Sequence, residues 1–281
     1  MAWTITDDPE EFAATALPLL LAEPVANTVA LTVLDSVRAG HRYSDRPMTF
    51  AWYAGRGEVT GAVLQTPPFG LLVIVLPPGS EAALVEQLRQ RGNSISEANG
   101  TEEAVGRFSA SWLAGTGLST EVVVRQRLFR LDRLVPPEPA PAGSARLVGR
   151  AELDLVVEWM HAFRDEAEPG AGAPVHSILE ERIEQQRIWL WQDPAETPVA
   201  MACRNVTVAG VSRVGPVYTP PEHRRNGYAA GVTAACTQHA LDTGADQVIL
   251  FTDVSNPTSN GVYQRLGYRP LDEDRLILRF G

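Results

Sequence analysis

The chain has 281 residues, and its hydrophobic fraction of 44% with a charged fraction of 21% is typical of a folded globular protein. The net charge of −10 at pH 7 argues against a nucleic-acid partner, because phosphate contacts need a basic surface. No apolar run approaches the roughly 20 residues needed to cross a bilayer, so we expect no membrane partner. Cys203 and Cys236 are too few for a disulfide framework or a thiol-based zinc cluster. We therefore expect a cytoplasmic protein without a metal.

The first half of the chain shows a mixed α/β pattern. Proline has no backbone donor, so Pro77 and Pro78 should end the strand that precedes them. The pattern predicts strands over 49–53, 59–65, 71–76 and 121–131, and helices over 81–90 and 102–113.

A proline-rich segment separates the two halves. Residues 134–144 read Leu-Val-Pro-Pro-Glu-Pro-Ala-Pro-Ala-Gly-Ser. Proline at this density removes backbone donors and favours an extended chain, so neither a helix nor a central strand is expected to cross it. We predict a first domain over 1–134, a linker over 135–144 and a second domain over 145–281.

The second half repeats the order of elements seen in the first. Its last helix is well bounded, because Asn256 can cap it, Pro257 suits its first position and Gly267 suits the left-handed site after its end. The pattern predicts strands over 145–149, 188–192, 197–208, 211–219, 246–252 and 274–280, and helices over 151–167, 176–187, 227–243 and 257–266.

Residues 224–229 read Arg-Arg-Asn-Gly-Tyr-Ala and separate an apolar strand from an alanine-rich helix. Gly227 lets the backbone approach an anion closely. The first amides of the following helix have no helical partner and carry the positive end of its dipole. Arg224 and Arg225 add charged donors. The segment therefore predicts a loop that binds a diphosphate.

A second motif follows the next predicted strand, where residues 256–268 read Asn-Pro-Thr-Ser-Asn-Gly-Val-Tyr-Gln-Arg-Leu-Gly-Tyr. With residues 224–229, it resembles the motifs of the GNAT superfamily of acyl-CoA-dependent N-acyltransferases. In that family an Arg/Gln-x-x-Gly-x-Gly/Ala loop binds the CoA pyrophosphate, and an Asn followed seven residues later by a Tyr lines the thiol end. The resemblance covers roughly residues 145–281. It implies an α+β fold with a mixed, mostly antiparallel sheet flanked by helices, and the repeated order predicts two tandem copies.

The resemblance also implies where acetyl-CoA, the expected co-substrate, would lie. The strand before the loop should splay from its neighbour, so that backbone groups of Val217, Tyr218 and Thr219 pair with the pantetheine amides. Asn256 and Tyr263 should line the thiol end. The pyrophosphate is expected at the loop itself, which consists of Arg224, Arg225, Asn226, Gly227, Tyr228 and Ala229.

Two residues are predicted to handle protons. Tyr263, with a phenol pKa of about 10 against about 8.5 for a thiol, stays protonated near pH 7 and can donate to the departing thiolate. Glu166, with Glu168 as the neighbouring alternative, is predicted to accept a proton from the amine through a water or to bind a cationic acceptor. Structural roles stay open for each: Asn256 as a helix cap, Tyr263 as a packing residue, Glu166 as part of a solvated helix end.

The first half is predicted to be a degenerate copy without a CoA site. Where the loop would stand, residues 77–81 read Pro-Pro-Gly-Ser-Glu. This segment has no arginine, and its carboxylate would repel a diphosphate. No Asn and Tyr pair recurs.

The sequence thus predicts an N-acetyltransferase that moves an acetyl group from acetyl-CoA to a primary amine of a small molecule. Direct attack in a ternary complex is favoured, because neither cysteine shows the paired histidine that a covalent route needs. Two alternatives stay open: a non-catalytic acyl-CoA-sensing module, and an acetyltransferase for protein or peptide N-termini. We expect a monomer with pseudo-dimeric halves or a homodimer.

Overall fold

The computed structural model describes residues 1–167 and 175–281. Glu168, the alternative to Glu166 as a proton acceptor, lies outside the described residues. Contacts divide the chain into unit 1, made of Met1–Gln126 with Glu273–Gly281, and unit 2, made of Arg127–Asp272. Within the described ranges, no helix is both long and apolar enough to span a membrane.

The helices and strands follow one another in mixed order. In chain order they are β1 (Ala2–Thr6), α1 (Pro9–Ala22), α2 (Thr28–Arg38), β2 (Thr49–Gly55), β3 (Glu58–Gln65), β4 (Leu71–Val75), α3 (Glu81–Gln90), β5 (Glu97–Thr101), α4 (Glu102–Leu113), β6 (Thr120–Leu131), β7 (Ser144–Leu147), α5 (Leu153–Ala167), α6 (Val175–Glu184), β8 (Ile188–Gln192), β9 (Pro198–Arg204), β10 (Val211–Tyr218), α7 (Tyr228–Asp242), β11 (Gln247–Asp253), α8 (Pro257–Arg265) and β12 (Tyr268–Phe280).

Unit 1 is a mixed sheet in the strand order β1-β2-β3-β4-β5. The first four strands pair antiparallel, and β4 pairs parallel with β5. Helices α3 and α4 cover one face, where Leu84, Leu88 and Phe108 join the core. Strand β5 was not predicted, because its sequence Glu-Ala-Asn-Gly-Thr lacks the β-branched and aromatic residues that mark strands.

Unit 2 has a mixed sheet with helices on both faces. Strands β7, β8, β9 and β10 pair antiparallel in that order, and β10 pairs parallel with β11. Helix α7 covers one face, where Val232 packs in the same core as Ala202 of β9. Helices α5 and α6 cover the other, where Val156 packs in the same core as Met201. Adjacent residues of β9 thus point to opposite faces, as the strand repeat requires.

Unit 1 includes a second segment, Glu273–Gly281, from the end of the chain. Residues Arg275–Arg279 of the last strand pair antiparallel with Glu97–Thr101 and so complete the sheet of unit 1. Phe129 of β6 packs in the α7 core of unit 2. Strand pairing between distant segments leaves no local sequence pattern, so a division read from composition places the boundary only at the prolines.

The proline-rich segment lies against unit 2. Its Ala142 carbonyl accepts a hydrogen bond of 2.9 Å from Trp191 Nε1. A Cβ built on Gly231 of α7 would come within 2.8 Å of Pro141, so this glycine allows the close approach. The segment therefore leads directly into β7 as part of the packed second unit.

Candidate functional site

Strands β10 and β11 separate part of the way along their length. Among the described residues their parallel pairing runs from Val211↔Gln247 to Arg213↔Ile249. Strand β10 then bends at an irregularity between Val214 and Val217 and keeps its antiparallel pairing with β9 as far as Tyr218↔Met201. Residues 217–219 therefore lie beyond the segment paired with β11, which leaves a gap between the carboxyl ends of the two strands.

The loop that follows β10 contains two left-handed residues. Arg225 has φ 68° and Gly227 has φ 80°, and α7 begins at the next residue, Tyr228. Asn226, between them, holds the turn through hydrogen bonds from Nδ2 to the carbonyls of His223 at 3.1 Å and Arg224 at 3.3 Å. The left-handed region is strained for residues with a Cβ and free of strain for glycine, which explains the glycine at position 227.

The loop presents free amides at the start of α7. The Gly231 N–H is the first to bond back, to the Gly227 carbonyl at 3.1 Å. The N–H groups of Tyr228, Ala229 and Ala230 come before this bond, at the positive end of a 15-residue helix. Such a helix start binds an anion readily. The Arg225 side chain beside it is exposed and has no hydrogen bond or ion pair with any residue in the described part of the chain.

Arg224 does not point to these amides. Its Nε donates to the Thr219 carbonyl at 2.9 Å, and its Nη2 donates to both carboxylate oxygens of Glu166, at 2.8 and 2.7 Å. The guanidinium carbon lies 5.9 Å from the centre of the Tyr218 ring. The predicted pyrophosphate ligand and the predicted proton acceptor are therefore bound to each other, and the carbonyl of Thr219 already accepts one hydrogen bond.

Tyr218 joins the same group of side chains. Its ring is 7% exposed and lies 6.4 Å from the ring of Trp159, and its hydroxyl donates weakly to Glu166 Oε1 at 3.4 Å. Burial, followed by the negative charge of Glu166, raises the pKa of Tyr218. The hydroxyl is therefore a neutral donor near pH 7.

The two asparagines of the second motif differ in position. Asn256 is exposed and caps α8, since its Oδ1 accepts from the Ser259 N–H at 3.0 Å. Asn260, one turn later, is half-buried, and its Nδ2 donates to the carbonyls of Asp253 and Val254, both at 3.2 Å. Asn260 Oδ1 is buried and has no hydrogen-bond partner in the described part of the chain. The predicted contact of Asn256 with the thiol end stays a prediction.

Tyr263 lies one turn beyond Asn260 and is half-buried. Its ring packs against Tyr268 with centroids 6.3 Å apart at 69°, and burial raises the pKa of Tyr263 to about 12. Residues 1–167 and 175–281 supply no hydrogen bond to its hydroxyl. Tyr268, by contrast, is fully buried and bonded to Thr237 at 2.6 Å. The two tyrosines are thus distinct: one has a partner in the protein and the other has a hydroxyl available to a ligand.

Neither cysteine is suited to act as a nucleophile. Cys203 and Cys236 are fully buried, and burial raises the pKa of both thiols. A thiol must ionise and reach its substrate to react. In the described residues there is also no group of three or more His, Cys, Asp or Glu side chains that could hold a metal ion.

Unit 1 has a different arrangement at the corresponding position, between β4 and α3. Arg107 of α4 donates from Nε to Glu81 Oε1 at 2.7 Å and from Nη2 to the carbonyl of Leu76, the residue after β4. Glu81 is the first residue of α3, so its carboxylate lies at the helix end where an anion would otherwise bind. Sequence reasoning did not identify Arg107, because its role depends on packing between α4 and β4.

The comparisons with known proteins agree with this fold. A model of the FR47-like protein family matches residues 195–277, and no curated protein sequence matches the chain. Among solved structures, the chain is similar to a tandem GNAT protein from the clavulanic acid biosynthesis pathway, with 15% identity, a TM-score of 0.64 and coverage of 99% of this chain and 98% of the other.

Two further structures show the same likeness. A GCN5-related N-acetyltransferase from Sphaerobacter thermophilus is 16% identical, with a TM-score of 0.64 over 99% of this chain and 95% of the other. Another from Kribbella flavida is 22% identical, with a TM-score of 0.56 over 91% and 95%. The chain has the α+β fold of the GNAT superfamily, with mostly antiparallel strands flanked by helices, as predicted. It has this fold in two copies, as a tandem GNAT protein does.

Proposed function

We propose that the chain is an N-acetyltransferase that transfers an acetyl group from acetyl-CoA to a primary amine of a small molecule. The observation that carries the proposal is the separation of β10 from β11 after Arg213, which leads into the left-handed loop at the start of α7. An open strand edge followed by free helix amides suits a ligand with a chain of amides ending in phosphates.

The residues present fit such a donor. The amides of Tyr228 and Ala229, with the exposed Arg225 guanidinium, would hold the diphosphate. The edge of β10 at Val217 and Tyr218 would pair with the pantetheine arm. When bound, acetyl-CoA supplies the activated acyl group. A backbone N–H of β10 would then polarise the carbonyl of the thioester, as a preorganised donor does.

Tyr263 would stabilise the charge that develops on sulfur. With a pKa of about 12 against about 8.5 for a thiol, full proton transfer to the thiolate would be uphill by roughly 5 kcal/mol. The hydroxyl therefore acts mainly as a hydrogen-bond donor. Its lack of a protein partner within the described residues leaves it available for this role.

Glu166 would serve the acceptor only after Arg224 moves. A carboxylate whose two oxygens already accept hydrogen bonds from a guanidinium is a poor site for an ammonium group. If the diphosphate attracts Arg224, the carboxylate is released beside the Tyr218 hydroxyl and can bind or deprotonate an amine. The acidic net charge of −10 favours such a cationic acceptor.

The experiment is a turnover screen with acetyl-CoA against small amines and peptides, with thiol release measured by a thiol reagent. The two native cysteines are fully buried, so they should add little background. Tyr263→Phe is the matched control. Turnover of small amines that falls in this variant supports the proposal. CoA binding without turnover of any amine indicates a sensor, and selectivity for peptides indicates an N-terminal acetyltransferase; either result contradicts the proposal.

A further inference from the structure

Two buried polar atoms border the gap between β10 and β11. Thr219 Oγ1, just after the end of β10, and Asn260 Oδ1, on α8, are both buried, and both lack a hydrogen-bond partner in residues 1–167 and 175–281. Buried polar groups in folded proteins are nearly always paired, so each unpaired atom needs an explanation. A ligand that enters the gap and forms hydrogen bonds with these atoms would provide that explanation.

The position of Asn260 is fixed by its other atoms. Its Nδ2 donates to the carbonyls of Asp253, the last residue of β11, and of Val254, the residue after it. Both amide donors are used there, so Oδ1 can only accept. A hydrogen-bond partner for Oδ1 must therefore be an N–H or O–H donor that lies outside the described residues.

The two atoms lie at the same end of the sheet. Strands β10 and β11 are parallel, so their carboxyl ends, at Tyr218 and Asp253, face the same way. Val217 of β10 packs in the same apolar core as Val262 and Tyr263 of α8. Helix α8 follows directly after β11, and Asn260 and Tyr263 lie one turn apart on one of its faces.

The backbone supplies fewer acceptors than the open strand edge suggests. Arg224 Nε occupies the Thr219 carbonyl at 2.9 Å. A carbonyl oxygen can accept two hydrogen bonds, so this one keeps a single acceptor site for a ligand. Asn260 Oδ1 adds an acceptor that the two hydrogen bonds of its Nδ2 hold in place, and the Thr219 hydroxyl can donate or accept.

We infer that Asn260 Oδ1 and Thr219 Oγ1 are side-chain hydrogen-bonding groups for the amides of the acyl-pantetheine arm, with Asn260 taking an amide N–H. This inference rests on the proposed function. Under this inference Asn260 is the residue of α8 that binds the ligand through its side-chain amide, and Asn256 caps the helix. It makes recognition of the donor depend partly on side chains, and not on the backbone of β10 alone.

The test compares two ligands by calorimetry. CoA carries the pantetheine arm, and 3′-phosphoadenosine 5′-diphosphate carries only the nucleotide and phosphates. Asn260→Ala and Thr219→Val should each weaken CoA binding by about tenfold and leave binding of the shorter ligand unchanged. Gln264→Ala removes an exposed amide from the same helix and should change neither.

The variants also differ in their expected effect on folding. Thr219→Val keeps the shape of the side chain and removes an unpaired buried hydroxyl, so its thermal stability should be unchanged or higher. Asn260→Ala removes two donors from the end of β11, and retained binding of the shorter ligand shows that the phosphate end is intact. Unchanged CoA affinity, or equal weakening of both ligands, overturns the assignment of the residue concerned. If the unaltered chain binds no CoA, the proposed function fails first.

Discussion

Arg224 and Glu166 form a two-pronged ion pair, in which one guanidinium nitrogen donates to both carboxylate oxygens at 2.8 and 2.7 Å. The pair joins the last turn of α5 to the loop before α7. It also brings together the two charged side chains that the sequence assigned to different substrates, the anionic donor and the amine. Both side chains are roughly half-exposed, so the pair contributes little to stability and can exchange partners.

The first prediction concerns this exchange. In Glu166→Gln the guanidinium loses its charged partner and becomes free to face the diphosphate. CoA should then bind more tightly, by up to about fivefold, because an exposed pair is worth at most about 1 kcal/mol. Glu158→Gln, an exposed site on the same helix, makes the same change in net charge and should have a smaller effect. Equal or weaker binding in Glu166→Gln would mean that Arg224 stays with α5 when the donor binds.

The second prediction concerns Tyr263. Replacement by phenylalanine should lower kcat by about 10- to 100-fold and change the Kd for CoA little, because the hydroxyl acts on charge that develops only during the reaction. Tyr43→Phe, which alters a tyrosine of unit 1, should keep the rate of the unaltered chain. An unchanged rate in Tyr263→Phe would leave the residue as a packing group against Tyr268.

The third prediction concerns alkaline pH. Burial raises the pKa of Tyr263 to about 12, and burial also raises the pKa of Tyr268 above the ordinary phenol value. Because both pKa values are higher in the folded chain, the stabilising effect is complete below about pH 10 and is lost as the pH rises toward 12. Denaturant unfolding at about pH 9 and about pH 11.5 measures the loss. It should be smaller in Tyr263→Phe; an equal loss would show that Tyr263 titrates normally.

The fourth prediction separates backbone strain from ligand binding. Gly227→Ala forces a Cβ into the left-handed region, at a cost of about 1–2 kcal/mol in the free energy of unfolding. The added Cβ would lie 3.5 Å from Pro141, an ordinary contact, so strain is the main effect. Gly244→Ala, with φ 92° and open space around it, should lower stability similarly. Only Gly227→Ala should also weaken CoA binding, and equal affinity in both variants would exclude the loop as the phosphate site.

The fifth prediction concerns the number of sites. Arg107 and Glu81 occupy the position in unit 1 that corresponds to residues 224–229 of unit 2, so we expect titration to give one CoA per chain. Arg107→Ala should lower the free energy of unfolding by about 1–3 kcal/mol, because it leaves the Leu76 carbonyl and Glu81 without their donor. The stoichiometry should stay at one. Two sites in the unaltered chain would refute the degenerate reading of the first half.

Much of the local structure could be predicted from the sequence. The predicted helix over 81–90 is α3 as observed, and the predicted helix over 257–266 is one residue longer than α8. Helix caps, prolines and hydrophobic spacing depend on interactions within a few residues, so the sequence predicts the elements that they define. No helix or strand was predicted for residues 1–48, where the structure has β1, α1 and α2. The predicted strand over 274–280 begins earlier, at Tyr268.

The hydrogen-bond and ion-pair partners of side chains are harder to predict from the sequence. Asn260 lies three residues before Tyr263, and this spacing puts both side chains on one face of the helix. The spacing was the one feature of the sequence that could have identified Asn260 as a candidate site residue. The orientation of its side chain depends on the carbonyls of Asp253 and Val254, and no local pattern predicts those two hydrogen bonds. Arg224 and Glu166 are 58 residues apart, and no local pattern predicts their contact.

The sequence by itself determined the motifs, the order of the elements and the glycine turn at residues 224–229, because these depend on interactions between near neighbours. Only the tertiary structure decided which strands complete each sheet, which asparagine points inward and which carboxylate Arg224 binds. Those choices depend on pairing and packing between distant segments, where the geometry of the folded backbone, not residue type, selects the partner.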